Sequence, residues 1–378
     1  MSDKTTLLAK TTHLQTLLTH FKTSLTTTTT PPPSLPATTS PNPLPLLRDA
    51  SHLLKAQTTK LGLLLLNEPF TPSAVIKVLS ACEAQPLPAI MGALELCHSD
   101  IWGGMMAREV RLRVDVLLGA FGEILVDVVR KAEGGIVGVV EGERGRGKTL
   151  ASTGLVWGAC DGLIELWEMG VVGLTVQKVE GFRGMIVDAI GELKEWGEDE
   201  EDLDEGFGGS EGDGGEEDRD DFEDMFSAAN KLPSHRRDLR DLLDETLRVL
   251  RLVDMLYKAV AKRRIKTFPV KTPPLEDEAA RVQVKTLDEV VTLLKSIPES
   301  VDDLANAFYE LDAEDATSIL TKITTDAKAA ATAVEKSWTN TPDEFTTWRS
   351  KFEEALSKKA GKEEEKTKQT MKLPFRSN

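Results

Sequence analysis

The chain has 378 residues, a formal net charge of −16, three cysteines and only 5% aromatic residues. Sixteen Asp or Glu stand against one Arg between Glu198 and Asp224, so this segment carries −15 and the rest of the chain is close to neutral. A near-neutral remainder excludes a broad basic footprint for nucleic-acid phosphates, and 40% apolar residues with few aromatics favour Leu/Ala/Val helix packing over sandwiches or barrels.

Leu7, Leu14 and Phe21, with Leu18 and Leu25 beside them, predict a first amphipathic helix that ends where residues 26–45 become a Thr/Pro loop. A second helix follows from Leu46 through Leu53, Leu54, Leu61, Leu64 and Leu65 to Pro69, and Thr71-Pro72 offers an N-cap with Pro at N1 for a third. Pro86 and Pro88 should split that helix before Ile90. Met105 to Lys131 then carries Val110, Val114, Leu117, Phe121, Leu125 and Val128 on one helical stripe.

A Gly-rich loop is expected over residues 134–149, followed by helices near Ser152 to Met169 and Val171 to Trp196. After the acidic insert, Leu239, Leu242, Thr246, Val249, Val253, Leu256 and Val260 alternate by three and four as a bundle seam does. Further helices are expected at Glu276 to Ile297, Ser300 to Leu311, Ala313 to Trp338 and Asp343 to Lys359. The fold class expected is therefore all-α: an N-terminal helical bundle over residues 1–197, an acidic disordered insert over 198–236, a C-terminal helical part over 237–361 and a charged flexible tail over 362–378. The first ten residues lack the apolar core of a signal peptide and no run of about 18 apolar residues occurs, so no membrane partner is expected.

Gly142 to Thr149 matches G-x-x-x-x-G-K-[ST], in which loop amides cradle phosphates, Lys neutralises them and Thr holds magnesium. The surrounding sequence does not supply the rest of such a fold. Only Ile136 to Val140 reads as a strand, and Met185 to Asp188 lies within the helical stripe Val179, Phe182, Ile186, Ile190 and Leu193. The expected state is a solvated loop between helices; a nucleotide hydrolase using Gly142, Gly147, Lys148 and Thr149 is the alternative.

His13, His20, His52, His98 and His235 are scattered, and Cys82, Cys97 and Cys160 form no C-x-x-C, so neither a metal site nor a disulfide framework is expected. No catalytic residue and no cofactor is nominated. Lys262, Arg263, Arg264 and Lys266 read as a candidate nuclear-import cluster, with cations offsetting a helix C-terminus as the structural explanation. Ser210, set among acids, is a candidate phosphorylation site.

Ala56 to Leu61 adds to two more distinctive segments, Thr153 to Asp161, which holds Trp157 and Cys160, and Ile297 to Tyr309. Val156, Cys160, Leu163 and Trp167 mark a core stripe, and Trp157 and Cys160 are read as packing residues. In the third segment Pro298 should stop one helix while Ser300 caps the next in a capping box with Asp303. In order and spacing, over roughly residues 46 to 335, these segments and the acidic break between halves resemble the cyclin-D-binding protein family, also called cyclin-D-interacting or GCIP-like. The resemblance implies helical bundles similar to vinculin and α-catenin modules. It also implies a non-enzymatic regulator in cytoplasm and nucleus that binds cyclin D and helix-loop-helix transcription factors and restrains cell-cycle progression. A vinculin-like cytoskeletal adaptor is a further alternative. No binding residue of the family is defined by a motif that can be matched here.

Overall fold

The computed structural model describes residues 3–27, 42–134, 139–198, 232–233, 235–269 and 278–358. Every regular element among them is helical, so the protein is all-α. The acidic insert from residue 199, Ser210 within it, most of the Thr/Pro tract and the charged tail lie outside the described residues. The chain divides into two compact units, one of Met1–Leu174 with Val270–Asp288 and the other of Thr175–Pro269 with Glu289–Asn378.

The first unit contains α1 (Asp3–Thr27), α2 (Pro43–Leu66), α3 (Pro72–Ala84), α4 (Pro86–Leu96), the single turn α5 (Ser99–Trp102) and α6 (Gly104–Ala132). It also holds the N-terminal part of α7 (Val139–Glu198) and the first turns of α9 (Glu278–Tyr309). Asn42 caps α2 by accepting from the Leu44 amide, with Pro43 pre-set at the first helical position. Thr71 sits at the N-cap of α3 without capping it; its hydroxyl donates to the Pro69 carbonyl instead. The chain breaks at Gln85, and Pro86 opens α4, as the two prolines predict. Pro72–Leu96 is long and apolar enough by composition to cross a membrane. Its Val75, Leu79, Cys82, Leu87 and Ile90 are all buried within the unit, which accounts for that apolarity.

The α6 stripe Val110, Val114, Leu117, Phe121, Leu125 and Val128 is buried throughout. The helix starts at Gly103, whose φ of +86° suits glycine, and its first amides are capped from far along the chain. Both carboxylate oxygens of Asp288 accept backbone N–H bonds, one from Gly104 and one from Met105. A carboxylate at a helix N-terminus satisfies orphan donors and offsets the dipole.

Helix α7 is interrupted at Gly170 (φ 59°, ψ −166°), a combination open essentially to glycine alone, so the expected boundary between Met169 and Val171 is real. The loop expected over residues 134–149 is corrected: residues from Val139 onward already belong to α7. Each glycine there costs a helix about 1 kcal/mol relative to Ala. Anchorage of Thr149, Ser152 and Thr153 in the unit's interior outweighs that preference.

The second unit contains the C-terminal part of α7, α8 (Arg237–Arg263), a 3₁₀ turn (Ile265–Thr267), α9 from residue 289, α10 (Ala313–Ala333) and α11 (Glu344–Ser357). Of the predicted α8 seam, Leu239, Thr246, Val249, Val253, Leu256 and Val260 are buried and Leu242 is half-buried. Trp196 closes against Phe308 and Tyr309, with ring centroids 5.9 and 5.7 Å away.

The expected break at Pro298 is also corrected. Helix α9 runs through it, and Ser300 does not cap; its hydroxyl donates to the Ser296 carbonyl within the helix. A mid-helix proline leaves the carbonyl four residues earlier without its amide donor. That carbonyl belongs to Leu294, and the buried Tyr257 hydroxyl donates to it.

Candidate interaction surface

In the first unit, α7 lies along α6 with opposite chain direction. Ser152 donates to Asp127 (2.6 Å) near one end, and Arg113 donates to the Gly162 carbonyl near the other. Helix α2 flanks it too, with the Lys55 ammonium 2.5 and 2.7 Å from the Asp161 carboxylate and Gly62 so close to Thr153 that a Cβ there would meet Oγ1 at 2.9 Å. Arg48 stacks its guanidinium 4.2 Å above the half-buried Trp167 ring.

Val156, Cys160, Leu163 and Leu166 face inward and are fully buried. Trp157 does not: it is 37% exposed, which corrects its assignment as a packing residue, whereas Cys160 is packed as expected. The difference is one of phase: Cys160 lies about 40° around the helix from Val156, within the buried stripe, whereas Trp157 lies about 100° from Val156, at its margin. Leu150, Gly154, Gly158, Glu165 and Glu168 are exposed as well. A Cβ added at Gly154 or Gly158 would meet nothing within 4 Å. On α6, outside the core stripe, Leu112 (58%), Val116 (56%) and Val126 (45%) are exposed; at spacings of four and ten residues they share one face. The sequence carried this signal as apolar residues out of phase with the core stripe.

The residues of the nucleotide-binding pattern do not form a loop. Gly147 and Lys148 are exposed on α7, and Thr149 is buried, its carbonyl accepting from the hydroxyls of Ser152 (3.1 Å) and Thr153 (2.7 Å). Gly142 lies in the same helix. In a helix the amides point along the axis to carbonyls four residues back, so these four residues do not present the converging donors of a phosphate cradle.

Of the basic cluster, Lys262 and Lys266 are exposed and Arg263 is half-buried, while Arg264 is buried and unavailable to a receptor. Its guanidinium forms a two-point ion pair with Asp343 (2.7 and 2.8 Å), donates to the carbonyls of Val334 (2.7 Å) and Glu335 (3.0 Å), and lies 4.4 Å from the Phe345 ring centroid. Asp343 also caps α11, so the pair joins the ends of α8, α10 and α11. The Arg264 guanidinium holds the Asp343 carboxyl down to about 2, with the helix N-terminal amides adding to it and burial opposing.

Burial pushes the thiols of Cys82, Cys97 and Cys160 up to about 12, so none is a ready nucleophile. His13 pairs with Glu83 at 2.8 Å, beside Lys10 on the same carboxylate. No cluster of three His, Cys, Asp or Glu fit to hold a metal occurs among the described residues.

Residues 46–199, which contain most of α2, all of α3 to α6 and α7 up to its last residue, match the family described as Grap2 and cyclin-D-interacting, N-terminal. An uncharacterized protein of Schizosaccharomyces pombe is 24% identical over 279 residues, covering 74% of this chain and 78% of the relative.

Proposed function

We propose, on the premise that residues 46–199 are a cyclin-D-interacting segment, that this chain is a non-enzymatic regulator that binds a D-type cyclin or a helix-loop-helix transcription factor. Its action is negative control of cell-cycle progression, in cytoplasm and nucleus. The observation that carries this reading is the outward face of α6, where Leu112, Val116 and Val126 are exposed within the matched segment. With the exposed Asp115 and Glu123 on the same side, this is an amphipathic face of the kind that helix-in-groove recognition uses.

The test is capture of purified cyclin D, and separately of a helix-loop-helix protein, by the full chain and by the variant Leu112→Glu/Val116→Glu. Loss of capture of at least tenfold with an unchanged unfolding midpoint supports the reading; undiminished capture of both removes α6 from it. Titration with magnesium ATP or GTP addresses the enzymatic alternative. Micromolar binding abolished by Lys148→Ala would overturn the non-enzymatic assignment.

A further inference from the structure

Thr341 and Pro342 lie in the segment that joins α10 to α11 in the second unit, outside the matched residues 46–199. Among the described residues one other Ser or Thr is followed by proline, Thr71 before Pro72. The two pairs differ in backbone. The Thr71 carbonyl accepts the Ala74 and Val75 amides (3.1 and 3.3 Å), so Thr71 and Pro72 open a helix. Residues 339–343 are instead exposed loop, and Pro342 holds the residue before it extended. A kinase needs the hydroxyl in line with the γ-phosphorus of ATP and in reach of its catalytic base, which a loop offers and a helix start does not without unwinding.

The surroundings of Thr341 suit an added phosphate. The Ser337 amide donates to the Thr341 carbonyl (3.0 Å), and the hydroxyls of Ser337 and Thr339 lie 2.8 and 3.0 Å from Thr341 Oγ1. Both hydroxyls can rotate to donate to a phosphate. On either side of Thr341 the loop is fixed to the end of α8. Trp338 Nε1 donates to the Arg264 carbonyl (2.7 Å) and its ring meets Phe268 edge-on at 4.8 Å, while Asp343 takes the Arg264 guanidinium. Arg263 donates to the Glu344 carbonyl (3.4 Å), Lys266 follows Arg264 by two residues, and Lys336 stands next to Ser337. Arg263, Lys266 and Lys336 have no ion pair with a carboxylate among the described residues, whereas Asp343 and Glu335 are already held by Arg264 and Arg349 (2.7 and 3.0 Å). Even with the exposed Glu344 beside the loop, cations are in excess.

We infer that Thr341 is a phosphorylation site of a proline-directed kinase, its phosphate received by Ser337, Thr339 and the cations Arg263, Lys266 and Lys336. Thr341 Oγ1 bonds to the γ-phosphorus of ATP, the bond from that phosphorus to the ADP oxygen breaks, and the hydroxyl proton passes to the kinase base. The phosphate adds about −1.5 to −2 charges near neutral pH. That anion clamps the segment between α10 and α11 to the end of α8 through charge-assisted hydrogen bonds, and it neutralises the exposed cations there.

Incubation of the full chain with magnesium ATP and, in separate reactions, a mitogen-activated and a cyclin-dependent kinase tests this. Phosphopeptide mapping by mass spectrometry separates Thr341 from other sites. At least one of the kinases is expected to modify Thr341 on most chains, and Thr341→Ala to lose that phosphate alone. At low salt the wild-type unfolding midpoint should rise by about 2 °C or more on phosphorylation, and that of Thr341→Ala should not. Arg263→Ala/Lys266→Ala should lose most of the rise, and salt at about 0.5 M should remove it in the wild type. Each variant is compared with itself before and after the kinase, so an effect of the substitution on the fold cancels. Absence of phosphate on Thr341 with both kinases overturns the site. A phosphate there that leaves the midpoint unchanged, or raises it equally in the double variant, overturns its reception by the cations.

Discussion

The Tyr257 hydroxyl donates to the Leu294 carbonyl, the acceptor that Pro298 leaves without its helical amide. A side chain from α8 thus completes the hydrogen bonding of α9. Tyr257→Phe should destabilise the protein by about 1 to 3 kcal/mol, because it strands a buried carbonyl. Pro298→Ala restores the amide from within the helix. The effect of Tyr257→Phe should therefore shrink in the Pro298→Ala background. A double-mutant cycle by urea unfolding measures this coupling, and simple additivity would show that tyrosine and proline are independent.

The Arg264 and Asp343 pair predicts a specific pH response. The folded pKa of Asp343 lies below its ordinary value of 3.8, at about 2. The stability it adds is therefore fully present above 3.8 and is lost as pH falls through the folded value. Asp343→Asn should flatten the acid limb of the unfolding curve in that window. It should also cost about 3 kcal/mol near neutrality, since it leaves the Arg264 guanidinium, with 2% of its side chain exposed, without its anion. Thermal unfolding between pH 2 and 7, wild type against variant, checks both.

At the start of α6, Asp288→Ala should cost about 1 to 2 kcal/mol as two amides lose their acceptor, and Asp288→Asn less, since an acceptor oxygen remains. Gly103→Ala should be destabilising by about 1 kcal/mol or more. Its φ of +86° strains any Cβ, and that atom would stand 2.9 Å from Val284 Cγ1. Chemical denaturation of the three variants ranks them; a neutral Gly103→Ala would mean the turn relaxes freely.

Much of the fold was legible because buried helices carry their own period. The α6 stripe, the break at Gln85 between α3 and α4, and the stop at Gly170 each follow from local chemistry: apolar spacing, a proline's missing donor, a glycine's permitted angles. Where local rules failed, a distant residue had intervened. Pro298 did not end its helix because Tyr257, far off in sequence, supplied the donor. Glycines at 142, 145 and 147 did not make a loop because Thr149 and Ser152 had an interior to enter. Arg264 looked like one of four surface cations until the fold brought Asp343 to it. The candidate surface was half legible: the Thr153 to Asp161 segment stood out by composition, but which of Trp157 and Cys160 faced outward depended on where α2 and α6 lay.

The cap that Asp288 places on Gly104 and Met105 spans 184 and 183 residues of chain. Synthesis runs from the N-terminus, so α6 emerges long before the carboxylate that finishes it. Until residue 288 leaves the ribosome, the nascent first unit holds open amides at Gly104 and Met105 and lacks the Asp288 carboxylate that accepts from them. Its completion is deferred until the whole of the other unit's α8 has been made.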